Sequence, residues 1–273
     1  MNEQSPQPED VSDFYDVYTH VLLRAWGDNF HYGYWLSDDD DTPADVAAER
    51  LTDLLVERIA LRPGDRMLDV GCGVGVPAIR LAEAVDAEIV GISINRAQVL
   101  AANERARTAG VADRVRFEHA NAMALPYPDD SFDAVWAFES LLHMERKLAL
   151  HEMARVLRPG GRLVLADVCQ RAPLSPEHRA TLEDALAKFA LAPLPSIQDY
   201  TAMVADAGLA VAEVLDISEQ TKRTVHRVAA GALEHRAELE HQHGEAARQL
   251  IEVLLHPIST LPEYGYLVVT ATR

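Results

Sequence analysis

The chain has 273 residues, 48% of them hydrophobic and 25% charged, a balance that suits a soluble globule with a sizeable core and excludes disordered and collagen-like chains. Its 25 Lys and Arg against 43 Asp and Glu give a formal net charge of −18, which argues against a nucleic-acid partner, whose phosphates need a dense basic surface. No apolar run approaches the ~20 residues that span a bilayer, and MNEQSPQPEDVSD lacks the basic end and apolar stretch of a signal peptide, so a cytoplasmic protein without a membrane partner is expected.

In chain order, residues 1–13 are rich in Pro, Gln and acids and are expected to be mobile. Residues 14–36 then crowd aromatics into a short span, although aromatics are only 6% of the chain. The acidic run Asp38 to Asp41 reads as a solvated loop, since it lacks the glycine and distal glutamate of a calcium loop. Thr42 and Pro43 start an amphipathic helix running from Ala44 to Ala60. From Arg66 the text alternates: MLDV, EIVGI, RVRFEH, FDAVWAF and RLVLADV read as strands, with helical spacing in PAIRLAEAV, RAQVLAANERARTAG and LALHEMARVL between them. Near-continuous apolar strands joined by helices mean a parallel sheet covered on both faces. Beyond Asp167 come Pro-punctuated helical text, a helix at Ile197 to Ala207, a strand AVAEVLDI, a polar helical stretch at 219–256 and a last strand YGYLVVTATR. His235, His241 and His243 in that stretch form no metal pattern and read as a solvated face, and Cys72 and Cys169 are too few for a disulfide framework or a four-thiolate zinc site, so no metal is expected and both thiols are expected to be reduced.

The strongest signal is Leu68-Asp69-Val70-Gly71-Cys72-Gly73-Val74-Gly75-Val76-Pro77, a buried strand running into a glycine turn that opens a helix. Such a turn lies where ligands settle in a doubly wound sheet, and glycines there let a ligand approach the backbone closely. The dinucleotide fingerprint G-x-G-x-x-G would need glycine at 76, where Val76 stands, which disfavours a nicotinamide oxidoreductase. Pro77 suits a first helical turn, and Asp69, at the strand's end, is placed to accept hydrogen bonds from a cationic amine.

LDVGCGVG resembles the first motif of the class I S-adenosylmethionine-dependent methyltransferases, and GISINRAQV, HANAMALPYPDDSFDAVWAFESLLHM and ARVLRPGGRLVLAD follow in that family's order. FHYGYW and GISI-x-R-x-QV are similar to the sterol and sugar methyltransferase branch, especially bacterial natural-product O-methyltransferases of the rebeccamycin sugar type. The resemblance implies an α/β, Rossmann-like, seven-stranded and mostly parallel sheet with helices on both faces. Residues 1–60 would form an N-terminal helical lid, 61–170 the cofactor-binding core, and 171–273 the remaining strands with an inserted helical cover over the substrate. It implies S-adenosyl-L-methionine as cofactor. The donor would be held by Asp69, Gly71, Cys72, Gly73, Gly75 and Pro77, by Ser93, Ile94 and Gln98, by Asn121, Ala122 and Met123, by Ala137, Glu139 and His143, and from the lid by Tyr15, His31 and Tyr32. Ser93 stands where many members carry an acid for the ribose diol, a task Gln98 could share. Asn121 stands where an acid often meets the adenine amino group, and its amide oxygen can accept the same bond.

Methyl transfer to a hydroxyl needs alignment and a base. His143 after the fourth strand and Asp167 at the end of the fifth could act as base and orienter if those strands are neighbours; the plainer readings are a helix cap or cofactor-edge contact for His143 and a cap for Asp167. The resembled sugar enzymes carry a second histidine at the position of Leu142, whose loss favours an apolar substrate and keeps open C-methylation of a prenyl or terpenoid alkene, with cyclisation of the carbocation. Tyr18, Trp26, Leu142 and Tyr200 are expected to meet a small, partly apolar substrate. The aromatics of 14–36 read as core, as aromatics at helical spacing usually are, or as a lid over the sulfonium, and could also dock onto a neighbouring subunit, which would make a homo-oligomer.

Overall fold

The computed structural model describes residues 5–255 and 261–273, so the expectations for residues 1–4 and for the end of the stretch 219–256 lie outside the described residues. The elements run α1 (Pro8–Trp26), α2 (Ala44–Ile59), β1 (Arg66–Val70), α3 (Val76–Ala84), β2 (Glu88–Ser93), α4 (Arg96–Thr108), β3 (Val115–His119) and β4 (Phe132–Phe138). A single 3-10 turn (Leu141–His143) leads to α5 (Arg146–Val156), β5 (Leu157–Gln170), α6 (Pro176–Lys188), α7 (Ile197–Asp206), β6 (Ala210–Asp216), α8 (Ser218–Thr221), α9 (Thr224–Glu234), α10 (Arg236–Leu254) and β7 (Tyr264–Thr272).

All seven expected strands form one sheet, in the order β3-β2-β1-β4-β5-β7-β6. Every pairing is parallel except those of β7, which runs antiparallel to both β5 and β6. Strand alternation splits the core into two layers. Leu68 and Val70, with Val135, Ala137, Leu163 and Leu165, face α5 and α7. Met67, Trp136, Phe138, Val164, Ala166 and Val168 face the other way, onto α2, α3 and α4. Each fully buried aliphatic side chain in these layers contributes roughly 1.5–3 kcal/mol.

The first mobile stretch is a correction. A helix starts at Pro8, where proline's fixed φ and missing N–H suit the first turn, and the Gln7 amide donates to the Asp10 carboxylate at 3.1 Å in a capping box. The acidic run is a turn: Asp40 accepts from the Leu36 and Thr42 amides at 2.9 and 3.0 Å and pairs with Arg50 at 2.7 Å. The helical text at the C-terminal end divides into α8, α9 and α10, the last interrupted at Gly244, which is non-helical (φ 57°, ψ −126°). α1 packs on α9 and α10 through Val21, Leu22, Val228, Ala232, Leu239 and Ile251, making a helical cover with its own small core. Among the described residues, no helix is long and apolar enough to cross a membrane.

Candidate active site

The sheet order reverses between β2-β1 and β4-β5, and the glycine turn sits at the carboxyl end of β1 at that switch point. The Gly71 and Cys72 amides both donate to the Ile92 carbonyl at 2.9 Å, and the Gly75 amide to the Cys72 carbonyl at 2.9 Å, which curls the backbone into a cup. The cup demands glycine for steric reasons. Gly71 and Gly75 have φ of +82° and +84°; a Cβ on Gly71 would strike the Ser140 side chain, and one on Gly75 would lie 2.6 Å from the Phe117 ring. A cavity opens above it. Its floor is the turn from Gly71 to Pro77, its walls are Ser93, Ile94, Gln98, Asn121, Ala122, Met123, Glu139, Leu142 and His143, and its roof is Tyr15, Trp26, His31 and Tyr32.

The walls fit a nucleoside. The Ser93 hydroxyl donates to Gln98 Oε1 at 2.9 Å and accepts the Asn95 amide at 3.0 Å, so its one proton is used. That fixes Gln98 with its buried Nε2 facing no protein partner, a donor left over for a ribose oxygen. Asn121 Oδ1 already accepts the Met123 amide at 2.9 Å, and its second lone pair remains for an adenine amino group. Replacing Gln98 with leucine is expected to weaken S-adenosylmethionine binding about 3- to 10-fold, one neutral hydrogen bond, and to lower thermal stability modestly, because the buried Ser93 hydroxyl loses its acceptor; calorimetric titration checks the affinity.

The cover closes through hydrogen bonds and rings. His31 stacks on Phe138 with centroids 4.0 Å apart, its Nδ1 meets Asn29 Oδ1 at 2.7 Å, and burial pushes its pKa down to about 3, so it is neutral. Trp26 holds the same segment by donating to the His31 carbonyl at 2.8 Å. The Tyr32 amide donates to Glu139 Oε1 at 2.8 Å, and the same oxygen accepts the Tyr266 hydroxyl at 2.6 Å. Trp35, fully buried, donates to the Thr42 carbonyl and packs within its own chain.

His143 occupies the last position of the 3-10 turn that follows β4. Its Nδ1 lies 2.8 Å from the Ala190 carbonyl, an acceptor only, so Nδ1 carries the proton and Nε2 presents its lone pair to the cavity. There Nε2 meets the Tyr15 hydroxyl at 2.8 Å. Burial pushes the imidazole down to about 4, which keeps it an unprotonated base at neutral pH.

Five expectations are corrected. Asp167 does not orient His143. It lies on the opposite side of β5 from Val168, out of the cavity, where Oδ2 accepts the Tyr200 hydroxyl at 2.7 Å and Oδ1 the Val168 amide at 2.8 Å. Tyr200 is fully buried on α7 in that other core layer and does not line the substrate space. Tyr18 points away from the cavity, toward Gln249 at 3.3 Å. Ala137 alternates into the layer under α5, while its neighbour Phe138 reaches the cavity. Asp69 stops behind the glycine cup: burial pushes its carboxyl up to about 7, and its Oδ2 has no hydrogen-bond partner. Phe14, Phe138, Phe189, Leu191, Val225 and Leu254 line the cavity without having been expected to. The last four belong to the stretch expected to form the substrate cover, in which no local pattern singles them out.

A family model described as a methyltransferase domain matches residues 68–165. The chain is 44% identical to the 27-O-demethylrifamycin SV methyltransferase of Amycolatopsis mediterranei, over 98% of both chains. It is 41% identical to methyltransferase GfsG of Streptomyces halstedii, over 97% of this chain and 94% of that one. Among solved structures, the [4+2]-cyclase SpnF superposes with a TM-score of 0.88 at 33% identity, covering 98% of this chain and 97% of that one.

Proposed function

Starting from the fact that the chain belongs to the S-adenosylmethionine-dependent methyltransferases, we propose that it O-methylates a hydroxyl of a large, largely apolar natural product in the cytoplasm, with His143 as the proton acceptor. The single observation that carries the oxygen acceptor is the tautomer: a buried neutral imidazole whose Nδ1–H is committed to the Ala190 carbonyl and whose Nε2 lone pair faces the cavity, where the Tyr15 phenol holds the hydroxyl's place at 2.8 Å. When bound, S-adenosylmethionine supplies an electrophilic methyl group. The protein's own part is to seat the acceptor oxygen in line with it and to take the proton on Nε2 as the oxygen attacks. Apolar side chains of the cover, Phe14, Phe189, Val225 and Leu254, exclude water and suit an acceptor with large hydrocarbon surfaces. The relative at 44% identity, named for 27-O-demethylrifamycin SV, supports an oxygen acceptor on a natural product. Incubation with methyl-labelled S-adenosylmethionine and a panel of hydroxylated polyketides is expected to give a methyl ether; label appearing only in prenylated alkenes would replace oxygen by carbon.

A further inference from the structure

Glu139 is a half-buried acid on the cavity wall that this mechanism leaves without a task. It is a non-glycine residue with φ at +49°, held there by its amide donating to the Ala166 carbonyl at 2.8 Å. That strained backbone turns the side chain inward, to the cavity wall shared with the glycine cup and His143. Its Oε1 takes two donors from opposite sides, the Tyr266 hydroxyl of β7 and the Tyr32 amide of the segment closing the roof.

The groups facing it carry no compensating positive charge. Tyr264 and Tyr266 reach it from β7, Tyr15 from α1 and Tyr32 from the roof, and burial raises the pKa of all four, so they stay neutral. His31 and His143 share the cavity and are neutral. Asp167 on β5 adds an acid, and the nearby guanidinium, Arg146, is spent on Tyr200 and the Pro193 carbonyl. Burial therefore pushes the Glu139 carboxyl up to about 8, against the pull of the two donors. At neutral pH the acid waits protonated for a cation.

We propose that Glu139 distinguishes the cationic methyl donor from its neutral product: it releases its proton to solvent when a sulfonium enters the cavity and recovers it once only the thioether is left. The ionised carboxylate grips the Tyr32 amide more strongly, since a charged acceptor about doubles such a bond. The roof is then firm over the donor and slack over the product.

Titration calorimetry of the full chain at pH 7, in phosphate and in Tris, tests this with S-adenosylmethionine, S-adenosylhomocysteine and sinefungin, which has an amine in place of the sulfonium. S-adenosylmethionine and sinefungin are expected to release close to one proton more than S-adenosylhomocysteine, and the affinity ratio of donor to product to rise by up to about tenfold per pH unit below pH 8. Glu139→Gln should erase both differences. Asp69→Asn should preserve them, because Asp69 stops behind the glycine cup and does not line the cavity that the sulfonium enters. Hydrogen exchange of residues 30–35 should slow more with the donor than with the product in the wild type and equally in Glu139→Gln. Equal proton release by donor and product, or a difference that survives Glu139→Gln, overturns the proposal. Failure of all three ligands to bind would remove the cofactor assignment and this inference with it.

Discussion

His143→Ala should lower the rate of methyl transfer to a hydroxyl acceptor by about 10²- to 10⁴-fold, with affinity for S-adenosylmethionine held within a few-fold. The reason is that the imidazole acts on the acceptor's proton and makes no hydrogen bond that the donor needs. The pH profile carries a second, independent expectation. An exposed histidine base would lose activity as pH falls through about 6.5, but burial lowers the pKa of His143 to about 4. Its Nε2 therefore remains unprotonated from pH 8 down to about 5, and no acid limb from this residue should appear in that window. The sign also holds for folding: a histidine kept neutral in the native state and protonated in the unfolded chain below 6.5 contributes stability that declines as pH falls from there toward 4. Single-turnover transfer measured from pH 5 to 9, for the wild type and the alanine variant, reads both effects. A variant keeping more than a tenth of the rate would mean that the acceptor needs no base, as a carbon nucleophile does not.

Tyr15→Phe sharpens the same argument. In the closed structure the phenol occupies Nε2 at 2.8 Å, the place an acceptor hydroxyl must take.

What could be read beforehand was everything set by periodicity and backbone conformation. Seven strands, the glycine cup and its neighbouring helix followed from short apolar runs and from a cluster of residues that only unusual φ values explain. His143 was legible because it follows a strand that opens onto the crevice. Two of the errors, Asp167 and Ala137, share one cause, the parity of side chains at strand ends. The end of β5 suggests the crevice for Asp167, yet Val164, Ala166 and Val168 mark the face toward the cofactor side, so an odd-numbered neighbour turns the other way. Ala137 beside Phe138 repeats the mistake on β4. A register of two, applied to the strands themselves, would have caught both. The roof was harder. Nothing local in Phe14 or Phe189 says that α1 and the segment after α6 meet across the cavity, with ring centroids 6.2 Å apart, because that contact joins elements more than a hundred residues distant.

The displaced acid then has a structural meaning with a large expected effect. Asp167→Ala should destabilise the fold by about 3–5 kcal/mol, a fall in Tm on the order of 10 °C for a chain of this size. Asp167 is almost fully buried, and Tyr200 bridges it to Arg146: the phenol donates to Asp167 Oδ2 at 2.7 Å while Arg146 Nε donates to the phenol oxygen at 3.2 Å. Arg146 is buried as well, and its Nη2 already lacks a partner. Removing the carboxylate leaves a guanidinium in the core with no counter-charge, and loosens the Leu142 amide that the carboxyl also engages, hence the turn bearing His143. Asp167→Asn separates charge from shape, since it keeps an acceptor for Tyr200. Burial raises the wild-type carboxyl from 3.8 to about 6, so the native state binds the extra proton and this group's contribution to stability falls as pH rises across that interval. The asparagine variant should lose that slope, fold, and retain His143-dependent transfer. Were it to fold with unchanged Tm and donor affinity yet lose transfer by a thousandfold, Asp167 would belong to the chemistry and not to the scaffold that aims it.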